Sequence, residues 1–431
     1  EMCQHPQSEE ESMDTKFKRT KYPTGTITRR NMLLTGAGVA GTLLGQTGQA
    51  AAPVVQTTTK ASNVYEAIGV TPIINAAGTL TALGGSLMPD HVIEAWVDAS
   101  RHFVDLRELG DKVGSRIAEL IGVEAALVTT GAAGAMLLAT AAAMTRGDEE
   151  RVRQLPDSTG MRNEVITQKT HHTCYDNQIR ACGATLIDVE TRNDLETAIN
   201  DRTALMLFYN LFEPDGQIKR EEWIAVARTN GIPTLLDAAA DVPPLEALSM
   251  YNKMGFDMVA FSGGKALRGP NDTGLLIGRE DLITAASRNN APNCGTLGRS
   301  MKVGKEAMIA ALAAIERYVS LDHSAEQLEW ENRLATIETT LKDIPTVSME
   351  RFTPPIANRV PHLLIFWDEN RVKIDRDAVT ETLASSNPPI RLGRVRGTGD
   401  QGLLLSVFML KPGETELVAR RLHDVLLAAA A

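Results

Sequence analysis

The sequence predicts an α/β protein: a mostly parallel sheet covered by helices on both faces, followed by a small α/β C-terminal domain. Three observations predict it. Short runs of strand length recur between residues 124 and 278, separated by helical or loop segments. These runs are continuously apolar rather than alternating, as expected of strands buried on both faces. A long helical stretch then leads away, and the alternation resumes on a smaller scale toward residue 430.

Residues 124–130, Glu-Ala-Ala-Leu-Val-Thr-Thr, read as the first buried strand, and residues 134–145 as an Ala-rich helix. Strands follow at 164–168, 184–188 and 204–209, with a helix near 176–181. Strands at 233–237 and 257–262 come next, with helices at 221–229 and 245–253, and a strand at 273–278 closes the series. Residues 305–342 read as one helical stretch. Beyond it, strands at 363–367 and 403–408 alternate with helices at 375–385 and 412–430. The expected division is a leader over 1–52, a large domain with an N-terminal arm over 61–318, and a small domain over 319–431.

The leader carries its own signal. Thr28-Arg29-Arg30-Asn31-Met32-Leu33-Leu34 follows the pattern of a twin-arginine export signal, and residues 31–59 are uncharged. Their apolar part is too short and too interrupted to span a bilayer. Gly48-Gln49-Ala50 places small residues where a signal peptidase requires them. Glu9-Glu10-Glu11 departs from the usual basic leader, whereas residues 13–30 are strongly basic, so Met13 fits as a start. The expectation is export to the periplasm by the twin-arginine machinery, which carries proteins already folded. Gly36-Ala37-Gly38-Val39-Ala40-Gly41 matches a dinucleotide fingerprint, but no acidic residue follows before Glu66, and that reading is discarded.

A net charge of −10 disfavours a broad nucleic-acid surface. Cys3, Cys174, Cys182 and Cys294 show neither C-x-x-C nor metal-ligand spacing, so unpaired thiols and no metal site are expected.

Three features carry chemistry. Thr129-Thr130-Gly131-Ala132-Ala133-Gly134-Ala135 joins a strand to a helix, where small residues and free N–H groups suit a phosphate. Asp237 ends a strand at the sheet edge where open α/β sheets bind ligands, and would hold a pyridine nitrogen protonated. Ser262-Gly263-Gly264-Lys265 follows another buried strand, a desolvated setting that favours a neutral, nucleophilic amine. Alone, each has an ordinary explanation: a common turn, a capping aspartate, a loop lysine.

Together, in this order, they resemble the fold-type-I pyridoxal-phosphate (PLP) enzymes, built like aspartate aminotransferase. Ile74-Asn75-Ala76-Ala77-Gly78-Thr79, residues 120–135, Phe261 to Pro270 and Gly298 to Lys305 are similar to the selenocysteine-synthase-like family. The likeness runs from about residue 65 to 310. That family includes bacterial seryl-tRNA selenium transferases and ammonia-lyases of aminated sugar acids such as D-glucosaminate 6-phosphate. The resemblance implies that Lys265 carries PLP as a Schiff base and later takes the α-proton. It implies phosphate contacts at Gly131, Ala132, Ala133 and Ser262, and His171, rather than His172, stacked on the cofactor ring. Asn75 and Thr79 would approach the substrate. A substrate carboxylate needs an arginine, and Arg268, Arg391, Arg394 and Arg396 are the candidates.

The expected reaction is elimination or deamination of an amino acid or amino sugar acid by a homodimer or larger homo-oligomer. The alternatives are a seryl-tRNA selenium transferase, another PLP-dependent transferase or aminotransferase, and a binding protein that keeps the fold without catalysis. Acidity and an export signal both weigh against a tRNA substrate, and those transferases carry a tRNA-recognition domain where this chain has its leader.

Overall fold

The structure is a computed structural model and describes residues 63–393 and 402–430. The leader, Cys3, both of its arginine and glycine motifs, Arg394 and Arg396 lie outside the described residues.

A short 3₁₀ turn at Glu66–Ile68 precedes β1 (Ile74–Ala76), α1 (Asp90–Ala99) and α2 (Leu106–Ile121). The large sheet is then built from β2 (Ala125–Thr129), β3 (Glu164–Gln168), β4 (Thr185–Val189), β5 (Thr203–Tyr209), β6 (Thr234–Asp237), β7 (Met258–Ser262) and β8 (Gly274–Gly278). Between these strands run α3 (Gly131–Thr145), α4 (Glu149–Gln154), α5 (Asp176–Arg180), α6 (Arg192–Ala198), α7 (Arg220–Thr229) and α8 (Ala247–Met254). After β8 come α9 (Glu280–Asn289), α10 (Lys305–Ser320) and α11 (His323–Leu341). The last part holds β9 (Ser348–Phe352), β10 (His362–Phe366), α12 (Arg376–Ala384), β11 (Ile390–Leu392), β12 (Leu403–Ser406) and α13 (Glu414–Ala429).

The seven strands lie in the order β2-β8-β7-β6-β5-β3-β4. β8 is antiparallel to both neighbours, and the other pairs are parallel. Alternation along β5 serves both faces: Phe208 joins a core with Ile117, Trp223 and Ile315, while Leu207 joins the opposite core with Leu138 and Ala286. Both faces being covered, the inner strands carry no exposed side, which is the continuous apolar signal of the sequence, whereas the edge strand β4 exposes Thr185 and Asp188. α3 is buried all round from Gly134 to Thr145.

The small domain has its own core of Leu334, Leu363, Val379 and Leu422 beneath the antiparallel sheet β12-β10-β9. Ile74 and Ala76 are buried in that same core, because β1 pairs in parallel with β11, Ile74 beside Ile390. The N-terminal segment thus crosses the boundary expected at residue 318 and belongs in part to the small domain.

Two expectations change. Residues 305–342 form two helices, since Leu321 is extended (ψ 144°) and the Asp322 carboxylate caps α11 by accepting from Ala325 N–H at 3.0 Å. The Ala-rich helix starts at Gly131 rather than Gly134, where φ of +66° suits glycine. The residues expected to form a loop around phosphate are therefore the first turn of α3.

Candidate active site

β6 and β7 run in register, Asp237 beside Ala260, so their C-terminal ends open at one edge of the sheet. Asp237 ends β6 and Ser262 ends β7. From Ser262 the chain doubles back against residues 271–273. A Cβ at Gly263 would lie 2.3 Å from Thr273 Oγ1, and one at Gly264 2.4 Å from Asn271 Cα. Two glycines are needed for so close an approach, and they deliver Lys265 into the cleft.

Burial pushes the Lys265 amine below its ordinary range, while the charges of Asp237 and Asp241 resist that shift. Burial pushes Asp237 upward, opposed by the Ala239 N–H donated to Oδ1 at 2.9 Å and by Lys265. Among the described residues that is the one hydrogen bond to the Asp237 side chain, and no cation lies within ion-pair distance of it. Asp241 is nearly fully enclosed, accepts from Tyr251 O–H at 2.8 Å and from Asn210 Nδ2, and is pushed up to about 6 chiefly by burial. Arg220 Nη1 donates to Asn210 Oδ1 at 3.0 Å, tying this buried group to α7.

The N-terminus of α3 has no side-chain cap. Gly131, Ala132 and Ala133 are half-buried, and their N–H groups have no acceptor among the described residues. β8 packs directly against them: a Cβ at Gly274 would lie 2.3 Å from the Gly131 carbonyl carbon. Ser262 is half-buried at the end of the neighbouring strand.

His171 is placed differently from a stacked ring. It has no exposed surface, Nδ1 accepts from Tyr209 N–H at 3.3 Å, and Nε2 faces the Phe212 carbonyl at 3.1 Å. Its ring meets Phe208 edge-on at 4.6 Å. A cofactor ring laid on it would have to displace this packing. His172 is held by Asp176 at 2.6 Å and Asp188 at 2.9 Å.

Thr79 lines the Lys265 cleft, in a loop shaped by Asn75, which donates to the Gly78 carbonyl and accepts from Ala77 N–H. Arg391 lies beside Asn75 in the β1–β11 pair but is exposed. Arg268 is not on the cleft wall. Its Nε donates to the Leu87 carbonyl at 2.8 Å, and it lines the adjoining cavity.

The small domain supplies wall residues that the sequence reading did not single out: Asn358, His362 and Ser406. Nδ1 of His362 donates to the Val360 carbonyl at 2.7 Å, and burial holds the ring neutral, leaving Nε2 as an acceptor. Ser406 Oγ is buried with no hydrogen-bond partner among the described residues. No local motif marks these residues, since only the docking of the small sheet brings them to Lys265. Asp241 stood in a plain Ala-Ala-Ala-Asp run whose turn could not be read.

These groups fit PLP. The α3 N-terminus offers unfilled N–H groups to its phosphate, the underpartnered Asp237 carboxylate suits a protonated ring nitrogen, and Lys265 is a desolvated amine. Fold and site together define a PLP-dependent enzyme of fold type I, and PLP is the cofactor. A family model described as L-seryl-tRNA selenium transferase matches residues 73–344, and the chain belongs to that family. It is 34% identical to a D-glucosaminate-6-phosphate ammonia lyase of Salmonella typhimurium (strain 14028s / SGSC 2262) over 59% of this chain and 70% of that protein. It is 31% identical to a 5'-C-glycyluridine monooxygenase-decarboxylase of Streptomyces sp over 84% of this chain and 92% of the relative. A solved D-glucosaminate-6-phosphate ammonia-lyase superposes with a TM-score of 0.74 at 27% identity, covering 86% of this chain and 99% of that one.

Proposed function

We propose that the protein is a PLP-dependent lyase that eliminates or deaminates an amino acid or amino sugar acid. The observation that carries this reading is Lys265, in a cleft walled by both domains, kept toward its neutral form by burial and within electrostatic reach of the Asp237 carboxylate. The likeness to a lyase of an aminated sugar acid, in sequence and in fold, supports the substrate class.

Bound PLP supplies an electron sink for charge developing at the carbon that bears the amine. The chain's residues do the rest. Asp237 stabilises the proton on the ring nitrogen. The first turn of α3 anchors the phosphate. The Lys265 amine is placed to take the α-proton and, once charged, to return it to the leaving group. His362 Nε2 and Ser406 Oγ offer an acceptor and a hydroxyl to substrate hydroxyls.

A panel of amino acids and 2-amino-2-deoxyaldonates offered to purified holoenzyme tests the reading. Keto acid and ammonia released in equal amounts are expected. A second reading, decarboxylation with oxygen consumption, is favoured by the extended match to the Streptomyces relative. Carbon dioxide release and oxygen uptake without ammonia would select it. Transfer to a seryl-tRNA remains the family's alternative and is disfavoured by the net charge of −10.

Two further proposals concern context. The exposed apolar residues Ile93, Trp96, Val97 and Phe103 on and after α1 support a homo-oligomer that covers them, checked by light scattering of the purified protein. The arginine pair at 29–30 supports export through the twin-arginine machinery to the periplasm.

A further inference from the structure

Past Ala266 the Lys265 cleft adjoins a second cavity of about 440 Å³, within the range of small-molecule sites. Pro243, Ala266 and Phe408 wall both spaces. Trp330 and Phe408, edge to face at 5.1 Å, give the second cavity an apolar side.

Arg268 stands on its wall in an unusual conformation. The turn from Lys265 closes with Arg268 N–H donating to the Lys265 carbonyl at 3.0 Å, and φ at Arg268 is +58°. Non-glycine residues rarely take that shape, and here it directs the side chain away from the cleft and toward Leu87. Nε is used on the Leu87 carbonyl, and the two Nη groups have no acceptor among the described residues. The other charges around the cavity already have partners. Glu326 pairs with Arg317 at 3.1 Å, Glu329 with Arg333 at 3.0 Å, and Lys411 with Glu414 at 3.2 Å. The Asp322 carboxylate caps α11. Burial and the nearby Arg317 press the Arg268 guanidinium below its ordinary range, with Arg333 adding to the shift and the Glu326 carboxylate, itself paired with Arg317, opposing it in part.

We propose that this cavity is a subsite for the anionic far end of the substrate, a phosphate or carboxylate several bonds from the reacting amine, with Arg268 as the residue that recognises it. The proposal rests on the reading of the Lys265 cleft as the place where an amine-bearing acid reacts. It assigns Arg268 to the distal end rather than to the carboxylate beside the amine, and it requires an elongated substrate that spans both spaces.

The test uses holoenzyme, so that the cofactor's own phosphate fills the α3 cradle. Calorimetric titration with inorganic phosphate, and separately with malonate, should show binding of at least one ion at one site per chain. The stronger ligand tells phosphate from carboxylate. Arg268→Gln should weaken that binding roughly ten- to a hundredfold, the scale of a lost charged hydrogen bond. Arg268→Gly, which suits the positive φ, should do the same and controls for a backbone effect. Binding that is absent in wild type, or equal in wild type and both variants, overturns the subsite.

Turnover separates this proposal from the one beneath it. Among 2-amino-2-deoxyaldonates ending in phosphate, carboxylate or hydroxymethyl, both variants should raise KM for the matching anionic compound and leave the hydroxymethyl compound unchanged. If wild type turns over none of the three while ion binding still depends on Arg268, the subsite stands and the substrate class falls. Turnover with KM independent of Arg268, alongside unchanged ion binding, removes the subsite and leaves the lyase in place.

Discussion

Asp237 was legible because it closes a buried strand, and Lys265 because it follows another by three residues across two glycines, positions where a charged residue has few structural reasons to be. Lys265→Ala should abolish the visible band of lysine-bound cofactor, and borohydride reduction of wild type followed by peptide mapping should place the label on residue 265. A label on another lysine would reject the assignment. Asp241 was not legible, since its burial and its bonds to Tyr251 and Asn210 come from three separate elements. It yields a pH prediction. Asp241 keeps its proton up to about 6, whereas an ordinary carboxyl loses it near 4, so the folded chain binds that proton more tightly than the unfolded chain. The stabilisation is complete below pH 4 and is lost as pH rises through 6. Asp241→Asn cannot ionise, and its oxygen still accepts from Tyr251. Its stability relative to wild type should climb between pH 4 and 7 by up to about 3 kcal/mol. Thermal melts of both proteins across that range check the sign, and a difference independent of pH would refute it.

At the scale of elements, the central strands were easy to find because covered sheets leave no polar face, whereas β1 and β11, three residues each, leave too little pattern to see. The break at Asp322 is a single cap inside an otherwise helical run, and the sequence around it keeps helical spacing on both sides. His171 shows the converse, a motif residue whose partners, Tyr209 and Phe212, lie about 40 residues on and set its role. The contact between β8 and α3 gives a further prediction. Gly274→Ala would drive a methyl into Gly131 and shift the first turn of α3. Cofactor affinity should fall at least about tenfold, one displaced charge-assisted hydrogen bond's worth. Equilibrium dialysis against free PLP measures it, with far-UV circular dichroism confirming the fold. Unchanged affinity would mean that the phosphate is held elsewhere.

For the whole molecule, the two-part α/β plan was readable, and the path of the N-terminal segment into the small domain was not, because parallel pairing across the chain leaves no local trace. Export is the property to test at this scale. Arg29→Lys with Arg30→Lys keeps both charges and loses the guanidinium geometry. Cell fractionation should find the variant in the cytoplasm, folded and loaded with PLP, and wild type in the periplasm, shortened by about fifty residues. Intact wild type in the cytoplasm during active twin-arginine export would reject the localisation and reopen the tRNA reading. The β1–β11 pair also sets a clock. Its two strands lie more than 300 residues apart, so at ribosomal speeds of about 5–20 residues per second β1 waits roughly 15–60 s for its partner. Throughout that interval Ile74 has no core to enter, and Thr79, just downstream, has no wall to complete. The nascent chain therefore holds its cofactor lysine well before it holds a finished substrate cleft, and discrimination among substrates is the last property of the site to form.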